Sequence, residues 1–311
     1  MMITIYCKTN GGKLEIIEKP VKGCWINVID PDPQELTCLQ ELDIPQDYLT
    51  SPLDLDERSR TEREDGEILI VFRVPYYQGE VSDIPYTTVP LGVILTPQYL
   101  VTVCKRDNDV LKELASGRLR DLSTTKQNRF VLRLLLLSAF RYLSYLREIT
   151  KAVDILEDKL QASTRNRELL DLLRYQKSLT YFTTALKSNE LMLERLQRSQ
   201  LFRMYPEDED LLDDVLTENQ QAIEMTSIQA NILSAMMDAF ASIISNNLNA
   251  VMKFLASITI LLSLPTMIAS FYGMNVRLPL EGTDWAFPII FGISVLITGM
   301  VSLFFMKRDW F

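Results

Sequence analysis

The 311-residue chain contains no histidine. That removes His-based triads, histidine general acid–base work and His-ligated transition-metal sites in one step. Cysteine is scarce: Cys7, Cys24, Cys38 and Cys104 stand far apart and form no CxxC pair. Such spacing offers no zinc site and suits a reduced compartment better than a disulfide framework. Positive charge is also short, with 32 Lys and Arg against 41 Asp and Glu, a net charge of −9. Nucleic-acid phosphates demand a basic surface, so a nucleic-acid partner is not expected. Acidity suits a surface that meets cations, although solubility alone would account for it equally well. No nucleophile–base pair, Gly-rich phosphate loop or metal-ligand motif is present, which argues against an enzyme. Met1–Lys13 has no apolar stretch after a basic start, so no cleaved signal peptide is expected. Long apolar runs are missing from the first 250 residues and gather after them.

The first hundred residues read as a mixed α/β region. Strands are expected at Ile3–Cys7, Leu14–Ile17, Trp25–Ile29, Ile68–Val74, Thr88–Leu95 and Leu100–Cys104. Turn signals at Gly11-Gly12, Asp30–Pro33, Asp65-Gly66 and Thr96-Pro97 separate several of them. A helix is expected over Pro33–Leu42 and a short one from Pro45, while the strand order is not legible. From Thr124 to Met204 there is neither Pro nor Gly, and leucines recur at three- and four-residue spacing. Leu132, Leu135, Leu136, Leu143 and Leu146 form one stripe; Leu169, Leu172, Leu173, Leu179 and Leu186 form another. The polar break Ser163–Arg167 predicts two long antiparallel helices, the second ending before Tyr205-Pro206. A third helix begins in the acidic run Glu207–Asp210, where carboxylates favour a helix N-terminus. No further Pro or Gly appears until Pro265. Unbroken to Phe271, this helix would run roughly 95–100 Å at 1.5 Å per residue.

Two segments satisfy the requirement of about 20 mainly apolar residues for crossing a bilayer. They are Val251–Tyr272, with Lys253 near its start, and Trp285–Met306, which has no charged residue. Lys253 precedes the first, Lys307 and Arg308 follow the second, and the joining loop Gly273–Asp284 holds only Arg277 among basic residues. The positive-inside rule then places both termini in the cytoplasm, as a multi-pass protein of the plasma membrane. The expected divisions are a cytoplasmic α+β domain at 1–123, a helical hairpin at 124–205 and a stalk helix at 206–250. The spans follow at 251–272 and 285–306, joined by an extracellular loop at 273–284 and ending in a tail at 307–311.

Steps of three and four from Asn249 give Asn249, Met252, Ala256, Thr259, Ser263, Thr266 and Ser270, a face small or polar at nearly every position. Small residues let two membrane helices approach closely, which is one account of the stripe. The other is a symmetric bundle whose stripes line a watery pore. Neither span carries a carboxylate, and Mg²⁺ gives up its water reluctantly. Hydroxyl, amide and backbone oxygens can instead accept hydrogen bonds from the waters around the ion.

Tyr272-Gly273-Met274-Asn275 closes the first span. A Gly-Met-Asn tripeptide there, after a very long helix, before a last span and a basic tail, resembles the CorA family of divalent-cation channels and transporters. The surrounding LPTMIASFYGMNV, Leu264–Val276, is similar to that family as well. The resemblance implies a homopentamer with five first spans around the pore. It implies a selectivity ring of Gly273, Met274 and Asn275, and pore-lining positions at Thr266 and Ser270. It also implies a narrow inner end at Asn249, Met252 and Leu255, where apolar side chains gate by dewetting. The helical face selects Ala256 rather than Leu255 there. Regulation by intracellular Mg²⁺ between subunits is implied too, at Asp214 and Asp238, with Asp54 or Asp56 as partner from the neighbouring copy. The expected partners are thus further copies of the chain, divalent ions and the lipid bilayer, with no cofactor.

The sequence departs from the family pattern after the tripeptide. An acidic MPEL-like stretch is common there, whereas this chain reads Val276-Arg277-Leu278-Pro279-Leu280-Glu281-Gly282. Glu281 stands where a loop carboxylate would concentrate cations, with Arg277 opposing it. The basic tail is short. Two rival readings remain: a zinc, cobalt or nickel transporter of the same superfamily, and a membrane-anchored helical scaffold or sensor that moves no ion.

Overall fold

A computed structural model describes residues 3–8, 14–117, 123–162, 166–199, 205–276, 279, 283–308 and 310. The chain divides into two compact units, Met1–Ala235 and Met236–Phe311.

The first unit is built on seven strands: β1 (Ile3–Lys8), β2 (Leu14–Ile17), β3 (Trp25–Ile29), β4 (Arg60–Glu64), β5 (Glu67–Tyr77), β6 (Tyr86–Leu95) and β7 (Leu100–Cys104). They form one sheet in the order β2-β1-β3-β7-β6-β5-β4, in which only β3 and β7 run parallel. Alternation along β5 shows how the sheet is covered. Ile70, Phe72 and Val74 enter one core with Leu132, Leu135 and Leu193, whereas Leu69 and Val71 enter the other with Leu39 and Leu49. The thinner layer comes from α1 (Pro33–Gln40) and α2 (Gln46–Thr50). Asp32 and Glu35 close a reciprocal capping box at the start of α1. Above the opposite face lie α3 (Asp109–Ala115), α4 (Gln127–Ala162), α5 (Asn166–Arg198) and the first turns of α6 (Pro206–Tyr272).

The six expected strands are all present, with β5 and β6 longer than their apolar runs. Two elements were not expected. Strand β4 is wholly polar, Arg60-Thr61-Glu62-Arg63-Glu64, and exists by pairing with β5 across the Asp65-Gly66 turn. Both turn residues take positive φ, as a two-residue hairpin requires. Helix α3 has only seven residues, and Asn108 starts it by accepting a hydrogen bond from the Leu111 amide at 3.0 Å. The first expected helix ends at Gln40 instead of Leu42, and the first long helix starts at Gln127 instead of Thr124. Of the expected break, 163–165 lie outside the described residues.

Helices α4 and α5 run antiparallel: Tyr142 meets Phe182 edge-on at 5.0 Å, and Tyr86 bonds Glu148 on one helix and Ser178 on the other. Asn189 of α5 does more specific work. Strand β4 pairs with β5 only as far as Val71, leaving the next edge positions open. There the buried Asn189 amide accepts from the Arg73 N–H at 2.9 Å and donates to the Arg73 carbonyl at 2.8 Å. Its oxygen also accepts from the Ser59 hydroxyl at 2.7 Å. A side chain thus replaces the missing strand. On the other face Gly92 permits close approach, since a Cβ there would stand 2.2 Å from Pro52 Cγ.

The acidic start of α6 is more than a solvated cap. Arg129 of α4 donates to Asp208, buried at 2.9 Å, and to the exposed Glu207. That hydrogen bond and the guanidinium charge hold the Glu207 carboxyl below its usual range.

The second unit consists of the remainder of α6, the segment after it and α7 (Ala286–Lys307). Among the described residues, α6 and α7 are the two helices long and apolar enough to cross a membrane, and little of either apolar stretch is buried.

Candidate functional site

In the second unit the sequence spaces two different faces along α6. One meets α7. A groove of about 830 Å³ lies between the helices, lined from α6 by Leu261, Pro265, Ile268 and Tyr272 and from α7 by Phe287 and Phe291 among others. The other face carries Asn249, Met252, Ala256, Thr259, Ser263, Thr266 and Ser270, all exposed. At 100° per residue the two faces lie roughly opposite. Helix α7 therefore leaves the small and polar face uncovered. Leu255, at the edge of that face, is 57% exposed, so both it and Ala256 are open.

Three hydroxyls on this face are not free donors. Thr259 donates to the Leu255 carbonyl at 2.8 Å, Ser263 to Ile260 at 2.9 Å and Thr266 to Leu262 at 3.0 Å. Each hydroxyl has one proton and two lone pairs. With the proton committed to the helix, what it turns outward is an acceptor. Back-bonding of this kind also satisfies Ser and Thr in an apolar medium.

The helix closes at the tripeptide. The Gly273 amide donates to the Ala269 carbonyl at 3.0 Å and to Ser270 at 3.2 Å, and the Met274 amide to Phe271 at 3.3 Å. Gly273, Met274 and Asn275 are exposed, and the Asn275 amide group makes no hydrogen bond among the described residues. This end of α6 carries the negative pole of the helix dipole, a setting that favours cations. Gly273 is not required by the chain itself. Among the described residues a Cβ there would meet only the Ala269 and Ser270 carbonyl oxygens, each at 3.5 Å, and its φ is not positive.

The regulatory candidates are all exposed: Asp54, Asp56 and Asp214 in the first unit and Asp238 in the second. Asp54 accepts from the Asp56 amide at 3.0 Å just after a 3-10 turn at Ser51–Leu53. Asp214 sits on the open side of α6, beside the buried Leu211, Leu212 and Val215. Among the described residues no three acidic or cysteine side chains of one chain are grouped to hold a metal. Glu281 lies outside the described residues. Sequence reasoning overlooked Ser294, Thr298 and Ser302 of α7, which line the groove with α6. Their signal was a hydroxyl every fourth residue in an otherwise apolar span.

The family described as "CorA-like Mg2+ transporter protein" matches residues 22–308. The Cobalt/magnesium transport protein CorA of Methanocaldococcus jannaschii is 28% identical over 99% of this chain and 100% of its own length. That of Thermotoga maritima is 24% identical over 83% of this chain and 74% of its own. Among solved structures, the complete CorA magnesium transporter from M. jannaschii superposes with a TM-score of 0.87 at 23% identity, covering 100% of this chain and 99% of that one. The full-length CmaX protein gives 0.71 at 15% identity, covering 100% and 98%. At these identities the structural matches speak for the fold alone.

Proposed function

The chain belongs to the CorA-like Mg²⁺ transporter family, whose members are transporters and not enzymes, and from that premise we propose that it carries Mg²⁺ across a membrane through a pore shared by several copies. The observation that carries this reading is the uncovered acceptor face of α6, which leads to Gly273-Met274-Asn275 at the negative pole of the helix.

In the proposed pore, five α6 helices turn this face to a common axis. Asn249, Met252, Leu255 and Ala256 form the inner end, and Thr259, Ser263, Thr266 and Ser270 the wall above it. Gly273, Met274 and Asn275 form the outer ring. A hydrated Mg²⁺ presents water protons outward, and a wall of hydroxyl and carbonyl oxygens accepts them without stripping the first shell. At the mouth, five helix C-termini and five Asn275 amide oxygens concentrate cations, and Glu281 adds to them. Both termini lie in the cytoplasm, as Lys253, Lys307 and Arg308 favour, and a membrane potential negative inside drives the ion inward.

Asp214 of one copy and Asp54 or Asp56 of the next hold a regulatory Mg²⁺, with Asp238 as a second position on α6. Ion there screens carboxylate repulsion and favours the closed ring; its loss lets the copies separate. The related names that include cobalt keep Co²⁺ as a second cargo of the same hydrated type.

Mg²⁺ uptake into dye-loaded proteoliposomes tests the reading, with Co²⁺, Ni²⁺ and Zn²⁺ in parallel. Potential-driven Mg²⁺ uptake should be lost in Asn275→Ala. Unchanged uptake in that variant would reject the outer ring, and no flux of any ion from the folded wild type would reject transport.

A further inference from the structure

The first unit carries a groove of about 940 Å³ between residues 56–60, strand β5 at Arg73 and the outer face of α5. In a chain of net charge −9, its lining is unexpectedly cationic. Arg58, Lys187 and Arg195 are exposed and form no ion pair among the described residues, while Arg60 is closed off by Glu57 and Glu62. Arg73 lies half-buried in the lining. Its Nε donates to Thr88 Oγ1 at 3.0 Å, one terminal nitrogen to the Glu57 carbonyl at 2.8 Å and the other to the Thr88 carbonyl at 3.0 Å. These neutral oxygens use three of its five N–H donors and neutralise none of its charge. Asp56 is the one lining carboxylate that Arg60 does not hold.

Four cations without carboxylate partners among the described residues, one of them fixed by backbone bonds, make a surface suited to an anion. Spread along a groove, they suit several negative groups in a row better than one. Beside them α5 presents Tyr181, 44% exposed, and Leu191, 59% exposed. Along the helix Tyr181 lies about 9 Å from Lys187, and Lys187 about 12 Å from Arg195. A flat ring at one end and oxyanions at the other fit that spacing.

We propose that this groove binds a nucleoside polyphosphate, its phosphates held by Arg73, Lys187 and Arg195 and its base on Tyr181. Mg²⁺ chelates the same phosphate oxygens and cancels part of their charge. The metal-free nucleotide is therefore the preferred ligand, and occupancy rises when free Mg²⁺ is low. Asp56 lines this groove, so Asp54 is left as the carboxylate that meets Asp214 of the next copy; the binding is otherwise independent of the transport reading and is measured without flux.

Calorimetric titration of the full chain in detergent, at low salt with a chelator, uses ATP and inorganic tripolyphosphate as probes. Both should bind saturably, and added Mg²⁺ should weaken each. Lys187→Ala with Arg195→Ala should weaken both by about tenfold or more, the loss expected for charge-assisted hydrogen bonds. Tyr181→Ala should weaken ATP alone. These side chains are exposed, so folding is not at stake. Absence of saturable binding, or unchanged affinity in the double variant, would overturn the proposal. So would a disulfide between Arg195→Cys of one copy and Asp213→Cys of another, because the groove would then be filled by the acidic start of a second α6.

Discussion

Gly273→Ala separates the demands of the chain from those of an assembled pore. Within one chain the added methyl meets two carbonyl oxygens at 3.5 Å, ordinary van der Waals contact, and the backbone there is open to an L-residue. Alanine removes conformational freedom from the unfolded chain, so the variant should be as stable as the parent or more so, by up to about 1 kcal/mol. If five copies bring Gly273 to one narrow mouth, however, five methyl groups enter the path at once. A barrier raised by about 1.4 kcal/mol slows passage tenfold, and crowding of this kind should cost at least that. Thermal unfolding in detergent and Mg²⁺ uptake in liposomes, on the same preparation, read the two effects separately. Undiminished stability with uptake down about tenfold or more supports a shared mouth. Undiminished uptake would refute the placement of Gly273 at a constriction, and a marked fall in stability would refute the reading of its local geometry.

Three further outcomes are expected. Asp214→Ala should weaken inhibition of uptake by internal Mg²⁺, and an unaltered inhibition curve would exclude Asp214 from the regulatory site. Asn189→Leu should destabilise the first unit by about 1–3 kcal/mol, because it leaves the Arg73 N–H buried and unbonded while Tyr142 still serves the carbonyl at 3.0 Å. Faster hydrogen exchange in β5 would register that loss, and unchanged exchange would count against it. Gly92→Ala forces a Cβ against Pro52 and should cost about 1–3 kcal/mol in thermal stability. A variant as stable as the parent would mean that the Ser51–Leu53 turn yields freely.

Much of this architecture was legible because its signals are long or redundant. The helices α4, α5 and α6 announce themselves through stretches free of Pro and Gly, and the central strands through β-rich runs set off by turns. Strand β4 was hidden because a wholly polar edge carries no apolar pattern. Charge there protects the edge from pairing with other chains. The Asp65-Gly66 turn nevertheless required a strand on either side. Helix α3 escaped because seven residues hold too few turns for a period. The small and polar face of α6 could be spaced from Asn249 onward, yet nothing in the spacing says which face α7 leaves open. The proposed regulatory pairing of Asp54 with Asp214 is harder still, since it would arise only between copies and one chain does not encode it locally.

The back-bonded hydroxyls of Thr259, Ser263 and Thr266 have a further consequence for a ring of such helices. A wall whose hydroxyl protons are already spoken for has little to offer chloride or phosphate, which bind through hydrogen-bond donors. It discriminates between signs of charge without holding a charge of its own. Replacing these residues with side chains that carry only outward N–H donors would be the way to make the same bore hospitable to anions.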